Sequence, residues 1–248
     1  MKTRRLLLAI AACVVTSSGA LVLQAAESIT PAVTAAVNDP ARPQADKDRD
    51  KMRRPAEMLA ASGIKQGDKV IELAPGGGYM TRLLSKLVGP TGKVYAANLP
   101  TFNEKMKSGP LQITGNPAYN NVAVIEMPYS ELKAPEPVDV VWTSENYHDF
   151  QNMGQFRTDT NAMNRAVLAA LKPGGHYIVT DFTTLPGQGK TQTQALHRID
   201  PEVIRMEVLA AGFMLERTSN ALAHPEDPKT ARQDQNSDQV YFIFRKPG

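Results

Sequence analysis

The sequence predicts one α/β domain: a doubly wound, seven-stranded, mostly parallel sheet that closes with an antiparallel hairpin. Three observations carry this expectation. From Arg53 onward, short β-rich apolar runs alternate with longer helical stretches, the pattern of strand–helix–strand crossovers. The inner runs are apolar throughout rather than alternating, as strands buried on both faces are. The last two runs are separated by polar sequence with no helical signal, which suits an antiparallel return.

Taken in order, Pro55 opens a helix through Ala61, and Gly63 ends it. The turn Gln66-Gly67-Asp68 leads into a strand over Lys69–Leu73. A helix over Met80–Val88 stops at Gly89-Pro90, and Lys93–Ala97 is the second strand. Asn121–Glu126, Val138–Thr143 and His176–Phe182 are the next three. A helix over Thr158–Leu171 joins the last two of these and ends at Lys172-Pro173-Gly174-Gly175. Asp200 before Pro201 reads as the N-cap of a helix to Ala211, with Glu202 complementing its dipole and Gly212 ending it. Phe213–Thr218 and Gln239–Arg245 form the closing pair. The polar stretch Asn220–Asp238 between them is long enough to be a functional lid or a disordered loop. Trp142, within an apolar strand, reads as core.

The chain has 248 residues and a formal net charge of +3. Hydrophobic residues are 42% and charged residues 21%, which excludes disordered, collagen-like and polytopic membrane classes. Lys2, Arg4 and Arg5 precede the apolar run Leu6–Val15, the arrangement of a secretory signal. Residues 1–25 are therefore read as a signal peptide, with cleavage after Ala20 or Ala25, and the protein as exported to the periplasm. An uncleaved anchor, a lipoprotein through Cys13, and a twin-arginine signal at Arg4-Arg5 are the alternatives. Residues 26–50, rich in Ala, Pro, Asp and Arg, read as a flexible tether before a domain over 51–248. The first 25 residues hold three basic residues and no acid, so the remainder is formally neutral and no nucleic-acid partner is expected. Membrane contact is expected only through the signal; the oligomeric state is left open.

Glu72-Leu73-Ala74-Pro75-Gly76-Gly77-Gly78-Tyr79 lies between a strand and a helix, where a ligand reaches backbone N–H groups only if side chains are absent. Asn98 ends the second strand, at the place of a ribose-binding side chain. These residues resemble the first two motifs of class I S-adenosylmethionine-dependent methyltransferases, a Rossmann-like family. Glu72, Ala74, Gly76 and Gly78 fall on the acidic-x-Gly-x-Gly-x-Gly pattern, with Ala74 replacing the first glycine. Leu171-Lys172-Pro173-Gly174-Gly175 matches the turn before the fifth strand. Pro75–Tyr79, Asn146–Asp149 and Leu196–Asp200 are similar to a bacterial group of exported predicted methyltransferases.

The resemblance implies S-adenosyl-L-methionine as cofactor. Glu72 would sit near its ammonium, and Ala74, Pro75, Gly76, Gly77 and Gly78 would pack against it. Asn98 would take the ribose in place of the usual acid, a weaker, neutral partner. Tyr129 or Ser130 would contact the adenine, and Glu145 belongs to the same set. Ser144–Phe150, at the carboxyl end of the fourth strand, is the candidate reaction centre. His148 is the candidate base, Asp149 its orienting partner and Tyr147 a wall for the methyl acceptor, a small molecule or an envelope component. His197 and Arg198 could face the same pocket. No metal site is expected: His176, His197 and His224 show no ligand spacing, and one cysteine excludes a cysteine zinc site.

Two other functions compete with methyl transfer. A non-catalytic exported binding protein that keeps the fold would explain Asn98, and would answer the difficulty that the cofactor is made in the cytoplasm. A nicotinamide-dependent oxidoreductase needs a third glycine where Thr81 stands.

Overall fold

Each apolar run in the sequence becomes a strand of one sheet. The computed structural model describes residues 28–248. The strands are β1 (Lys69–Leu73), β2 (Lys93–Asn98), β3 (Val122–Glu126), β4 (Val138–Ser144), β5 (Leu171–Phe182), β6 (Met214–Thr218) and β7 (Gln239–Arg245). They stand in the order β3-β2-β1-β4-β5-β7-β6. The first five pair in parallel, and β7 runs antiparallel to both β5 and β6. The strand order reverses between β1 and β4, and ligand crevices form outside the carboxyl ends of strands at such a switch point.

Helices α1 (Pro31–Val37), α2 (Gln44–Lys47) and α3 (Asp50–Arg53) precede α4 (Pro55–Ser62). Then α5 (Tyr79–Val88) follows β1, α6 (Glu104–Thr114) follows β2, α7 (Tyr147–Phe150) and α8 (Thr160–Ala170) follow β4, and α9 (Pro201–Ala210) follows β5. Alternate strand residues feed two cores. Val70, Val94, Trp142 and Ile178 pack with Leu83 and Leu84 of α5, while Ile71, Tyr95, Val141 and Tyr177 pack with Val167 of α8 and Val208 of α9. Trp142 is fully buried edge-on to Tyr241, as a core residue. Asp200 caps α9 as expected, its carboxylate accepting from Glu202 N at 3.0 Å.

Four features depart from the expected layout. The segment read as a tether is folded: Thr30 caps α1, Val33 and Ala36 are buried, and Arg82 of α5 forms a bidentate pair with Asp46 (2.6 and 3.0 Å). Its polar composition reflects ion pairing to the domain rather than solvation. Helix α6 carries Gly109 and Pro110 in its interior, both poor helix formers, so propensity gave no sign of it. β5 begins at Leu171, absorbing the expected turn through Gly174 in a left-handed conformation (φ 76°) opposite a register shift in β4. The stretch 220–238 is folded against the domain rather than disordered, and it does not line the cavity beside the glycine-rich turn. Buried Arg198 pins it through Asp227 (2.7 Å), Ser237 Oγ (2.7 Å) and the Ala231 carbonyl (2.8 Å), so Arg198 lines a groove under this stretch and not the cavity beside the glycine-rich turn.

Residues 1–25, read as a signal peptide, lie outside the described residues, Cys13 included. Among the described residues no helix is long and apolar enough to cross a membrane.

Candidate functional site

Strand β1 ends at the switch point and delivers Glu72 and the glycine-rich turn to a cavity of about 180 Å³. Its walls are Glu72–Gly77, Tyr79 and Met80 on one side, Ser144–Asn146 at the end of β4, and Arg49 and Arg53 from the N-terminal helices. Ala74 stands at φ 52°, a left-handed conformation that alanine rarely adopts, and two bonds hold it: Ala74 N donates to Tyr129 Oη (2.7 Å) and to the Ala97 carbonyl (3.1 Å). Side chains added at Gly76 and Gly77 would meet nothing within 4 Å, so the turn presents bare backbone to open space.

Glu72 is buried, and Thr81 Oγ1 donates to its Oε2 at 2.6 Å. Burial pushes its carboxyl up to about 7, against the hydrogen bond from Thr81 and the charges of Arg53 and Arg82. Arg53 is almost as enclosed, and burial, with Arg49 nearby, draws its guanidinium down to about 10. It pairs with Glu145, whose own backbone is left-handed (φ 58°), so the N-terminal helices are tied to the end of β4 across the cavity. Tyr79 reinforces the tie: Arg42, Arg49 and Arg53 lie 4.9–5.5 Å from its ring centroid, and its hydroxyl donates to Asp50 at 2.7 Å.

Several residues read as cofactor or acceptor contacts lie elsewhere. Tyr129 is buried, its hydroxyl donating to the Ala97 carbonyl (2.7 Å) while accepting from Ala74 N, so it braces the β1 and β2 ends. Ser130 is exposed beside Leu132 and Ala166, in a separate groove. Tyr147 is buried between Glu207 Oε2 and Asn164 Nδ2, each 2.8 Å from its hydroxyl, and is no wall of the cavity. Gly78 is the left-handed N-cap of α5 (φ 79°) rather than a wall of the cavity. Asn98 is 1% exposed and does not line the cavity, but its Oδ1 has no hydrogen-bond partner.

His148 and Asp149, on α7, join two residues from distant segments. Asp181, at the end of β5, accepts from the His148 backbone N (2.7 Å) and Phe182 N (2.8 Å), and its Oδ1 lies 2.7 Å from His148 Nδ1. His148 Nε2 is 3.1 Å from His197 Nδ1 and 3.3 Å from Asp149 Oδ1, and His197 Nδ1 is 3.3 Å from the same oxygen. Burial would lower the His148 pKa, but the Asp181 charge and bonds to Asp149 and Asp181 outweigh it and push it up to about 10. His197 is held below its usual value, first by burial and then by His148 and Arg232 against the pull of Asp149. This trio is where the described residues could hold a metal, against the expectation of none. Asp149 follows His148 directly, but His197 comes from a segment 49 residues away, so no short ligand spacing shows.

Sequence reasoning missed Arg49, Arg53 and Asp181. The i, i+4 spacing of the two arginines and an acid ending an apolar strand were the available signals.

A sheet of this order, with an acid near the end of β1 and a glycine-rich turn into α5, is the fold of class I S-adenosylmethionine-dependent methyltransferases. A methyltransferase from Aquifex aeolicus superposes with a TM-score of 0.56 at 20% identity, covering 82% of this chain and 98% of that one. One from Mesorhizobium loti gives 0.55 at 18% identity, covering 78% and 97%. In sequence, the chain is similar to ubiquinone/menaquinone biosynthesis C-methyltransferases. It is 29% identical over 128 residues to that of Pseudomonas aeruginosa (50% of this chain, 46% of that enzyme) and 26% over 190 residues to that of Proteus mirabilis (74% and 72%). The chain thus spans about half the length of the Pseudomonas relative it matches. No protein-family model matches.

Proposed function

We propose that the protein is an S-adenosylmethionine-dependent methyltransferase, exported to the periplasm, that acts on a small molecule or an envelope component. One observation carries this reading: the buried Glu72 carboxylate and the Arg49 and Arg53 guanidinium groups line one cavity beside the bare turn 74–77. A zwitterionic amino-acid group needs such a pair, an anion for its ammonium and a cation for its carboxylate. The unpartnered Asn98 Oδ1 fits the ribose side, since an amide oxygen accepts from a hydroxyl and a buried acceptor left unpaired is costly. Glu72, residues 74–77 and Arg53 would therefore hold the cofactor, and Asn98 could join them only if the end of β2 shifts to expose it.

When bound, the cofactor supplies an electrophilic methyl on a sulfonium, whose carbon–sulfur bond breaks as the acceptor forms its own bond to that carbon. The chain's part is alignment and exclusion of water. Tyr79, with the Arg53–Glu145 pair, seals the N-terminal side, and Asn146 fixes the β4 end by donating to the Ser144 carbonyl (2.7 Å) and the Ala74 carbonyl (3.3 Å). For an oxygen or nitrogen acceptor the candidate base is His148, which takes the departing proton only in its neutral form, a form that its neighbours Asp181 and Asp149 disfavour. The relatives' names make a carbon acceptor a further class to assay.

One observation favours a second reading, a binding protein without turnover. The cavity is smaller than the ~300–1,000 Å³ typical of ligand sites, and Asn98, Tyr129 and Ser130 do not line it. Calorimetry with S-adenosylmethionine, S-adenosylhomocysteine and NAD tests both. Binding of the two sulfur nucleosides and not NAD is expected, and no binding of either at millimolar concentration overturns the enzyme reading. Methyl transfer unchanged in His148→Ala removes the base. N-terminal sequencing of envelope-fraction protein tests export, which an intact Met1 on all of it would contradict as far as cleavage goes.

A further inference from the structure

The structure assigns a divalent transition-metal site to His148 Nε2, His197 Nδ1 and Asp149 Oδ1. The three atoms form a nearly equilateral triangle with edges of 3.1, 3.3 and 3.3 Å. An ion ~2.1 Å from each ligand, the usual zinc–nitrogen or zinc–oxygen distance, separates neighbouring ligands by about 3.0 Å in octahedral and about 3.4 Å in tetrahedral geometry. The observed edges lie between those limits. Three ligands on one face leave further positions for water or substrate.

The surroundings are those of a built site. The far nitrogen of His148 is held by Asp181, which is fully buried and itself fastened by two backbone N–H groups. A carboxylate behind a ligating histidine fixes the ring and raises its basicity. Asn152 Nδ2 donates to Asp149 Oδ1 at 3.1 Å and to the Thr193 carbonyl at 3.2 Å, which anchors the third ligand. His197 is held with its backbone left-handed (φ 51°). The His197 and Asp149 side chains are 21% and 18% exposed and His148 only 2%, so the triangle opens to one side. Once the ion displaces the His148 proton, Asp149 and Asp181 against Arg232 leave the locality net negative, suiting a dication. Two imidazoles and one carboxylate select zinc, iron, manganese or cobalt over magnesium or calcium. With the ion bound, His148 Nε2 holds metal in place of a proton and gives up the role of base.

The site shares His148 with the proposed base, so it is tested by a readout other than methyl transfer. Untagged full-length protein, stripped with chelator, is titrated with Co²⁺ and followed by its visible d–d bands and by thermal melting. A one-to-one complex with a raised melting temperature is expected. His197→Gln, at the open edge, should abolish the bands while the metal-free melting temperature stays put. Asp181→Asn, behind the ligand, should weaken binding about 10–100-fold without removing it. Absence of stoichiometric cobalt binding by the wild type overturns the assignment, as does undiminished binding by His197→Gln. Should that variant melt lower when metal-free, Asp149→Asn replaces it under the same two criteria.

Discussion

Arg53 and Glu145, 92 residues apart, form an ion pair across the mouth of the glycine-turn cavity. One end lies in the N-terminal helices, just after the stretch 26–50 read as a tether, and the other just after β4, so the pair closes the site and fastens the segment that carries those helices. Both side chains are largely buried, so removing one partner strands a charge. Arg53→Met and Glu145→Gln should each lower stability. In the double variant part of that loss should return, a coupling of about 1–3 kcal/mol by denaturant unfolding. Strictly additive losses would show that the pair does not hold the segment.

Glu72 should link pH to both stability and cofactor binding. Its carboxyl sits at about 7 when folded against an ordinary 4.5, so between these values the folded protein keeps a proton that the unfolded chain releases. Stability contributed by that proton is complete below the unfolded value and is lost as pH rises through 7. Glu72→Gln should therefore melt higher than wild type at pH 8 and about equal to it at pH 5. A cationic ammonium favours the ionised acid, so S-adenosylmethionine should bind wild type more tightly as pH rises through 7, with proton release visible by calorimetry in buffers of different ionisation enthalpy. The variant should lose both the affinity and its pH dependence.

Gly109 of α6 lies against the glycine-rich turn. A Cβ there would stand 2.4 Å from the Gly76 carbonyl oxygen and 2.8 Å from Gly77 Cα, backbone atoms that must move to admit it. Gly109→Ala should cost about 1–3 kcal/mol, in the range of overpacked sites. It should also weaken S-adenosylmethionine at least tenfold by shifting the turn. Unchanged affinity in a destabilised variant would separate α6 from the site.

Arg198 should control the order of residues 220–238. It is 1% exposed and bonds Asp227, Ser237 and two carbonyls. Arg198→Met leaves the buried Asp227 carboxylate without its cation, a loss of about 3–5 kcal/mol. Tryptic cleavage after Lys229 or Arg232 should accelerate well before global unfolding. Cleavage at the wild-type rate would show that the stretch is held by other contacts.

Where local chemistry sufficed, the reading from residues was close. Strands β1 and β7 fall on their expected bounds, and Gly63 and Asp200 terminate and cap helices as expected. The Glu72-to-Gly78 turn was likewise legible, because a glycine cluster between strand and helix has few other uses. Helix α6 was hidden because Gly109 and Pro110 oppose helix locally, and only packing on the turn makes glycine the residue that fits. Tyr129 and Tyr147 were misplaced for a related reason. Their neighbours in sequence point to the site, but their hydroxyls are claimed by Ala74, Ala97, Glu207 and Asn164 inside the core.

Residue order and hydrophobic pattern were enough for the sheet, its switch point and the methyltransferase-like turn, because strand burial and turn chemistry are written within a few neighbouring residues. Chain folding alone decided that Arg53 meets Glu145, that Asp181 stands behind His148, and that His197, 49 residues further on, brings its Nδ1 within 3.1 Å of His148 Nε2. Such meetings depend on how crossovers bring distant strand ends together, and the free energy that holds them is spread over two buried cores rather than lodged in any motif.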